Sequence, residues 1–441
     1  MCIRDSSSSE LPHTFSLLQE IQSFVQSGKS VYFSFFHLKF QEALAAYYIA
    51  TCLPVSGQVS KFRQLFGRPR FSGVLKFYSA ITKLQTPGIK EIVTRIVKGK
   101  SKPLLVSLIH CLFGAQDPSL CHYVVKQLDD WDALDLSSTS LSQVDFIFIG
   151  YFLSTLTCNT QIVKKVRFWH CKISDDNVKN LALYMCRSSS PCGWRMDMNV
   201  NNIHDEGASS IAEILSAGSV LNSLELNSNP IGGKGLQSIS EALITNSSLV
   251  ELRLASCKLV ITEENGPVFT EMLQRNKTLR HLNLGSNNLS DIGAFYFGKG
   301  LRENITLKKL VLHGCGFTSR GAEDLSIMSA QEDLDIGWNA IGDQGMAHLA
   351  ESFKKIKTLK CLDTSHCGLT SRGAEDLSKA LAQNSSLERL RIEQNAIGDQ
   401  GIAHLAESLK KNQTLKHLYV CLLYTSPSPR DATLSRMPSS A

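Results

Sequence analysis

Four segments repeat one alternation of apolar and polar positions: LNSLELNSNPI from Leu221, LVELRLASCKL from Leu249, LRHLNLGSNNL from Leu279 and LKKLVLHGCGF from Leu307. Each reads L-x-x-L-x-L-x-x-N/C. Side chains alternate across a strand, so the central L-x-L predicts a short strand with its leucines turned inward. Leu224 and Leu226 are then core, and Ser223, Glu225 and Asn227 surface. The ninth residue stands where the chain must bend. An Asn amide or a small Cys thiol there can bond to backbone groups that the bend would otherwise bury unpaired. Beyond the bend, IGGKGLQSISEALITN from Ile231 and IGDQGIAHLAESLKKN from Ile397 place apolar residues at helical spacing. They predict a helix returning on the outer face. The asparagine at its end suits a left-handed helix stop.

The ninth residues are Asn229, Cys257, Asn287, Cys315, Asn339, Cys367 and Asn395, at steps of 28, 30, 28, 24, 28 and 28 residues. That period is the mark of a leucine-rich repeat solenoid. The predicted fold is therefore α/β: a horseshoe over residues 163–420, with parallel strands inside and helices outside. The Asn/Cys alternation and the length of the repeats resemble the ribonuclease-inhibitor type. SRGAEDLS recurs at Ser319 and Ser371, and NAIGDQG at Asn339 and Asn395. One repeat departs: AQEDLDIGWNAI lacks the four residues that its twin supplies as NSSL at Asn384, which predicts a shortened helix-to-strand turn and a local kink.

Composition changes this picture little. A chain of 441 residues suggests several domains by length alone, but a solenoid buries each repeat only against its neighbours. The net charge of +6 is weak, and without long Lys/Arg runs nothing points to nucleic acid or a membrane surface. Of 13 cysteines, Cys171, Cys257, Cys315 and Cys367 are ninth-position residues. The remainder lack metal-ligand spacing, so structural thiols in a reducing, cytoplasmic compartment are expected. Six N-x-S/T sequons occur, and five of them (Asn246, Asn276, Asn304, Asn384, Asn412) stand three residues before a strand's first leucine. The repeat explains them without glycosylation.

Outside the repeats the pattern shifts. Residues 1–10 and 421–441 match neither the repeats nor a signal peptide, and read as a non-native or disordered leader and tail. Both resemble translated sequencing-adapter read-through. VYFSFFHLKFQEALAAYYIA from Val31 predicts an aromatic strand and then a buried helix from about Lys39. Residues 53–130 alternate helical runs with Pro and Gly breaks, as a small helical domain would. WDALDLSSTSLSQVDFIFIGYFLSTLT from Trp131 predicts a cap leading into the repeats over 131–162, its apolar run too short for the roughly twenty residues of a membrane helix.

The order of these parts resembles NACHT and leucine-rich-repeat (NOD-like) receptors. Phe36, His37, Leu38, Phe40, Gln41, Glu42, Leu44, Ala45 and Ala46 are similar to the end of that family's winged helix, here within 11–52. Asp145 to Leu153 resembles the approach to its repeats. The resemblance implies the C-terminal part of a cytosolic innate immune receptor, whose repeats sense a ligand or hold the receptor autoinhibited. It implies ATP/ADP in the full-length receptor, with His37 contacting the nucleotide, and self-oligomerisation there. Ala43 stands where the family often has an aromatic. Gly28-Lys29-Ser30 and Gly99-Lys100-Ser101 are not phosphate loops, because Ser23 and Thr94 replace the required earlier glycine. No cofactor is therefore expected in this stretch, and its nucleotide core is expected to lie elsewhere.

The sequence shows neither a nucleophile elbow nor a metal-binding pair, so a binding module rather than an enzyme is expected. The repeat frame predicts a concave face carrying Arg195, Asp197, Glu225, Arg253, Asn283, Lys309, Val311, Asp335, Asp363, Arg389 and Arg391. Trp338 stands just before a ninth residue and Trp169 in a similar place, and exposed Trp and Arg commonly anchor interfaces. The expected partner is a protein or an intramolecular contact. His281, His313, His366 and His417 fall near the same face as ordinary surface residues. Two other readings use long repeats: a free-standing inhibitor like ribonuclease inhibitor, and a Ran-type GTPase activator. The first leaves the N-terminal 150 or so residues unused, and the second expects an acidic tail.

Overall fold

The computed structural model describes scattered residues between 42 and 51, then residues 53–66, 72–85, 89–98, 101–126, 133–155, 165–186, 194–218, 221–327 and 330–420. His37 and most of the winged-helix motif lie outside the described residues, as do 1–10 and 421–441. The chain divides into two compact units, residues 1–131 with 147–163 and residues 132–146 with 164–441.

The first unit is helical: α1 Val55–Leu65, α2 Ser72–Thr82, α3 Ile89–Lys98, α4 Lys102–Ala115, α5 Pro118–Lys126 and the later part of α6 Gln143–Ser154. Its core includes Phe62, Tyr78, Leu105 and Leu108, all nearly fully buried. A Cβ at Gly114 would overlap the Lys76 carbonyl, so glycine is what lets α2 and α4 approach. The Lys76 ammonium lies 4.5 Å from the centre of the Phe148 ring, as a cation placed against an aromatic face.

The second unit is a single parallel sheet with strands in chain order: β1 Leu134–Asp135, β2 Lys165–Arg167, β3 Trp194–Asp197, β4 Leu221–Glu225, β5 Glu251–Arg253, β6 His281–Asn283, β7 Lys309–Val311, β8 Asp333–Asp335, β9 Cys361–Asp363, β10 Arg389–Arg391 and β11 His417–Tyr419. Helices follow the strands from β2 to β10: α7 Asp175–Met185, α8 Asp205–Ser216, α9 Gly232–Thr245, α10 Gly266–Arg275, α11 Ser290–Leu301, α12 Ser319–Leu325, α13 Gly342–Phe353, α14 Ser371–Leu381 and α15 Gly398–Leu409. This is the leucine-rich-repeat horseshoe. The stretch leading into the repeats supplies β1, which pairs with β2, and Phe146, whose ring lies 5.8 Å from that of Phe168.

The ninth-position alternation has a reciprocal hydrogen-bond explanation. Asn287 Oδ1 accepts the N–H groups of Cys257 (2.8 Å) and Leu259 (3.0 Å) in the preceding repeat, while its Nδ2 donates to Leu254 O (2.8 Å) and Leu284 O (2.7 Å). Asn339 and Asn395 repeat the arrangement on Cys315 and Cys367. The Cys257 thiol in turn donates back to Leu226 O at 3.2 Å. Each asparagine thus satisfies its neighbour's bend as well as its own. Burial pushes the Cys257 thiol up to about 11 and those of Cys315 and Cys367 up to about 12, so they stay protonated and unreactive.

The structure corrects two expectations. The asparagines ending the helices are not left-handed: Asn246 has φ −66° and ψ 130°, and Asn276 is similar. They stop the helix through their side chains instead. Asn246 Nδ2 donates to Leu215 O of the preceding helix (2.9 Å), and its Oδ1 accepts from Ser248 N and Leu249 N. Asn276, Asn304, Asn384 and Asn412 do the same, which is why these sequons recur in one phase. Ser223, expected at the surface, is 1% exposed. It is too short to clear its longer neighbours, and its hydroxyl donates to Glu251 Oε2 at 3.0 Å.

The shortened repeat loses helix as well as turn. Helix α12 has 7 residues against 11 in its twin α14. At the repeat's first-leucine position, two residues before β8, stands Gln331, 2% exposed, whose Nε2 reaches Leu307 O at 3.4 Å while Oε1 has no hydrogen-bond partner among the described residues.

Candidate interaction surface

Strand register assembles two outward rows of side chains. One runs Arg195, Ser223, Glu251, His281, Lys309, Asp333, Cys361, Arg389, His417. The second runs Asp197, Glu225, Arg253, Asn283, Val311, Asp335, Asp363, Arg391, Tyr419. The strand residues singled out from sequence therefore lie together on this face. Glu251, Asp333, Cys361 and Tyr419 belong to the same rows and were absent from the sequence-based set, as was Lys165, which pairs with Arg195 at the start of the first row; His281 and His417, read from sequence as ordinary surface residues near the face, stand in that row too. Counting the same two positions in every repeat would have found them.

Many of the charges neutralise one another. Lys165 Nζ sits 3.1 Å from Glu225 and 3.8 Å from Asp197. Burial, with Glu225 nearby, raises the Asp197 carboxyl above its ordinary range, although the Asn199 N–H and Lys165 oppose this. Arg253 meets Glu251 at 2.6 Å; burial works against the Glu251 charge, but bonds from Arg253 and Ser223 hold its pKa below the usual range. Lys309 meets Asp333 at 2.6 Å, and Arg391 approaches Asp363 at 3.7 Å. His313 Nδ1 is 3.4 Å from Asp335, and that contact raises the imidazole pKa against the opposing effect of burial. Two depressions open on the face: one of about 440 Å³ walled by Arg195, Glu251, Arg253 and Lys309, and one of about 200 Å³ walled by Asp333, Asp335, Asp363 and Arg389. Among the described residues no group of three or more His, Cys, Asp or Glu side chains is arranged to hold a metal. No described helix is long and apolar enough to cross a membrane.

The eighth position is the unexpected feature. Ser228, Ser256, Ser286, Gly314, Trp338, His366 and Gln394 all have φ between 54° and 61°, because each turns the chain off its strand. Serine, histidine and glutamine tolerate this less well than glycine, and a tryptophan there is an outlier. Trp338 is nonetheless 63% exposed, with its ring stacked on His366 at 3.5 Å and 21°. Trp169 is 46% exposed but occupies the seventh position; His170 follows it with the positive φ.

A family model described as Leucine Rich repeat matches residues 196–212, 219–240, 275–298, 303–326, 332–350, 355–378 and 383–406. NACHT, LRR and PYD domains-containing protein 4C of Mus musculus is 28% identical over 291 residues, which are 65% of this chain and 26% of that protein. The 9C protein of Mus musculus is 34% identical over 290 residues, 64% of this chain and 25% of its own length. Ribonuclease inhibitor of Sus scrofa is 32% identical over 167 residues, 36% of either chain. The chain spans about a quarter of the length of the mouse relatives. Its sheet, its reciprocal Asn/Cys ladder and the matched repeats identify the region as a leucine-rich-repeat domain, similar to the repeats of NACHT, LRR and PYD domains-containing proteins and of ribonuclease inhibitor.

Proposed function

We propose that the concave sheet is the ligand-sensing and autoinhibitory surface of a cytoplasmic NACHT-type receptor. The reading is carried by the contrast between faces. The Asp and Asn side chains at repeat junctions are consumed by backbone bonds, whereas the two strand rows, although Asp335 and Asp363 also accept backbone N–H groups, present exposed charges of both signs beside two depressions. Mixed charge suits a protein partner or a domain of the same chain, because complementary charge sets register and excludes wrong partners. In the whole receptor, ATP or ADP would be bound outside the repeats, with His37 reaching the nucleotide, and release of the repeats would permit self-oligomerisation.

The test is made on the full-length gene product. Arg253→Glu with Lys309→Glu is expected to raise nucleotide-dependent oligomer formation at least fivefold in light scattering without ligand. Lys234→Glu with Lys410→Glu, on the outer helices, should leave it unchanged. Equal behaviour of the two pairs removes the autoinhibitory role. The match to pig ribonuclease inhibitor favours one second reading, a free-standing inhibitor. Tight inhibition of a pancreatic-type ribonuclease by this chain would put that reading first.

A further inference from the structure

We infer that Trp338 forms one wall of a slot for an arginine side chain of a partner protein. The inference rests on the concave-face reading above and specifies the partner chemistry. In the eighth-position row Trp338 has two neighbours, His366 in the next repeat and Gly314 in the preceding one. The backbone bonds Gly314 N to Gly337 O (2.9 Å) and Trp338 N to Ser365 O (2.8 Å) hold this row in step. One face of the indole is taken by His366. On the other side of Trp338 in this row stands Gly314, which has no side chain, and Ser286 beyond it has only a small one. The indole is thus exposed, with one face stacked on His366 and no side chain beside it from the eighth position of the preceding repeat.

Acidic groups stand nearby. Asp335 Oδ1 and Asp363 Oδ1 converge on Gly337, each 3.4 Å from where a Cβ on that glycine would stand. Each Oδ1 accepts one backbone N–H, from Gly337 (3.1 Å) and Ser365 (2.9 Å), and the charged neighbours of the other oxygens are His313 at 3.4 Å and Arg391 at 3.7 Å, which leaves acceptor capacity on both carboxylates. Ser365 Oγ, in the same stretch, is buried and without a hydrogen-bond partner. A planar guanidinium fits all of this. It stacks on an aromatic face and bonds carboxylates through its fork, which a lysine ammonium cannot do. A nucleobase would also stack, but its phosphates would be driven against Asp333, Asp335 and Asp363.

Isothermal titration of the full chain with a tetra-arginine, a tetra-lysine and a tetra-glutamate peptide tests the slot. The arginine peptide should bind about fivefold or more tighter than the lysine peptide, and the glutamate peptide should not bind. Trp338→Ala should weaken arginine binding about tenfold, Asp335→Asn severalfold, and Trp338→Phe should restore most of the loss. Circular dichroism confirms that the variants fold. Equal affinity for arginine and lysine peptides, or indifference to Trp338→Ala, overturns the inference. If the arginine peptide fails while reversal of Arg253 and Lys309 still releases oligomers, the slot falls and the concave-face reading stands.

Discussion

Two consecutive repeat pairs of this solenoid are near-copies, and their difference in length is instructive. The block from Cys315 and the block from Cys367 share SRGAEDLS, NAIGDQG and one capping device. Asp291 accepts from Thr318 N (2.8 Å), Thr318 Oγ1 (2.5 Å) and Gly321 N (3.1 Å); Asp343 accepts from Thr370 N (2.8 Å), Thr370 Oγ1 (2.6 Å) and Gly373 N (2.9 Å). The carboxylate at the start of one helix thus caps the next. The blocks part in length only where the helix returns to the strand. The later block ends its helix with Asn384 and has buried Leu387 at the first-leucine position, whereas the earlier one has lost four residues and places Gln331 there. The loss spares the bend and the cap because both are held by neighbouring repeats. It does not spare the helix end, whose bonds come from residues within the deleted stretch.

Breaking the shared ladder should have the largest effect. Asn395→Ala would orphan Cys367 N and Leu369 N together with the carbonyls of Thr364 and Ile392. At 1–3 kcal/mol for each buried group left unpaired, a loss of about 3 kcal/mol or more is expected. The measurement is hydrogen exchange over β9 and β10, and unchanged protection would refute the ladder's importance. Asn384→Ala should cost less, about 2 kcal/mol, because only one helix end is released.

Gln331→Leu acts in the opposite direction. It restores the leucine of the twin and removes a buried carbonyl without a partner, so urea unfolding should move to higher midpoint by about 1–2 kcal/mol. No gain would mean that water already satisfies Gln331. Next in size are the caps: Asp291→Ala and Asp343→Ala should each cost about 1 kcal/mol and agree within a few tenths, since their bonds match. A large disparity would show that the shortened helix weakens its own cap.

The smallest effect belongs to His313. Asp335 raises its pKa in the folded state, so its contribution is fully present below about pH 6.5 and is lost as pH rises through the folded value. Both side chains are partly exposed, which keeps the contribution to a fraction of a kcal/mol. Proton NMR should place His313 above the ordinary histidine pKa, and Asp335→Asn should bring it back down. An unshifted His313 in the parent protein would contradict the contact.

Much of the architecture is readable from residue order because it is periodic. The inward leucines, the Asn/Cys bends, the helices and the missing four residues each follow from a local rule repeated at nearly fixed steps. Arg195, Lys309, Asp335 and Arg391 could be placed on one face for the same reason. The helix-ending asparagines show where local rules mislead: asparagine does favour left-handed stops, but here its amide reaches a carbonyl 31 residues earlier.

Which neighbour each side chain meets was decided only by tertiary structure. Sequence determined that Ser223 points off a strand; sheet register placed it beneath Glu251 and buried it. Sequence put Trp338 before a bend; the parallel stack set it against His366 on one side and bare Gly314 on the other. The physical reason is that periodicity fixes a residue's direction within its own repeat, whereas exposure, pairing and open space depend on the residues one strand away.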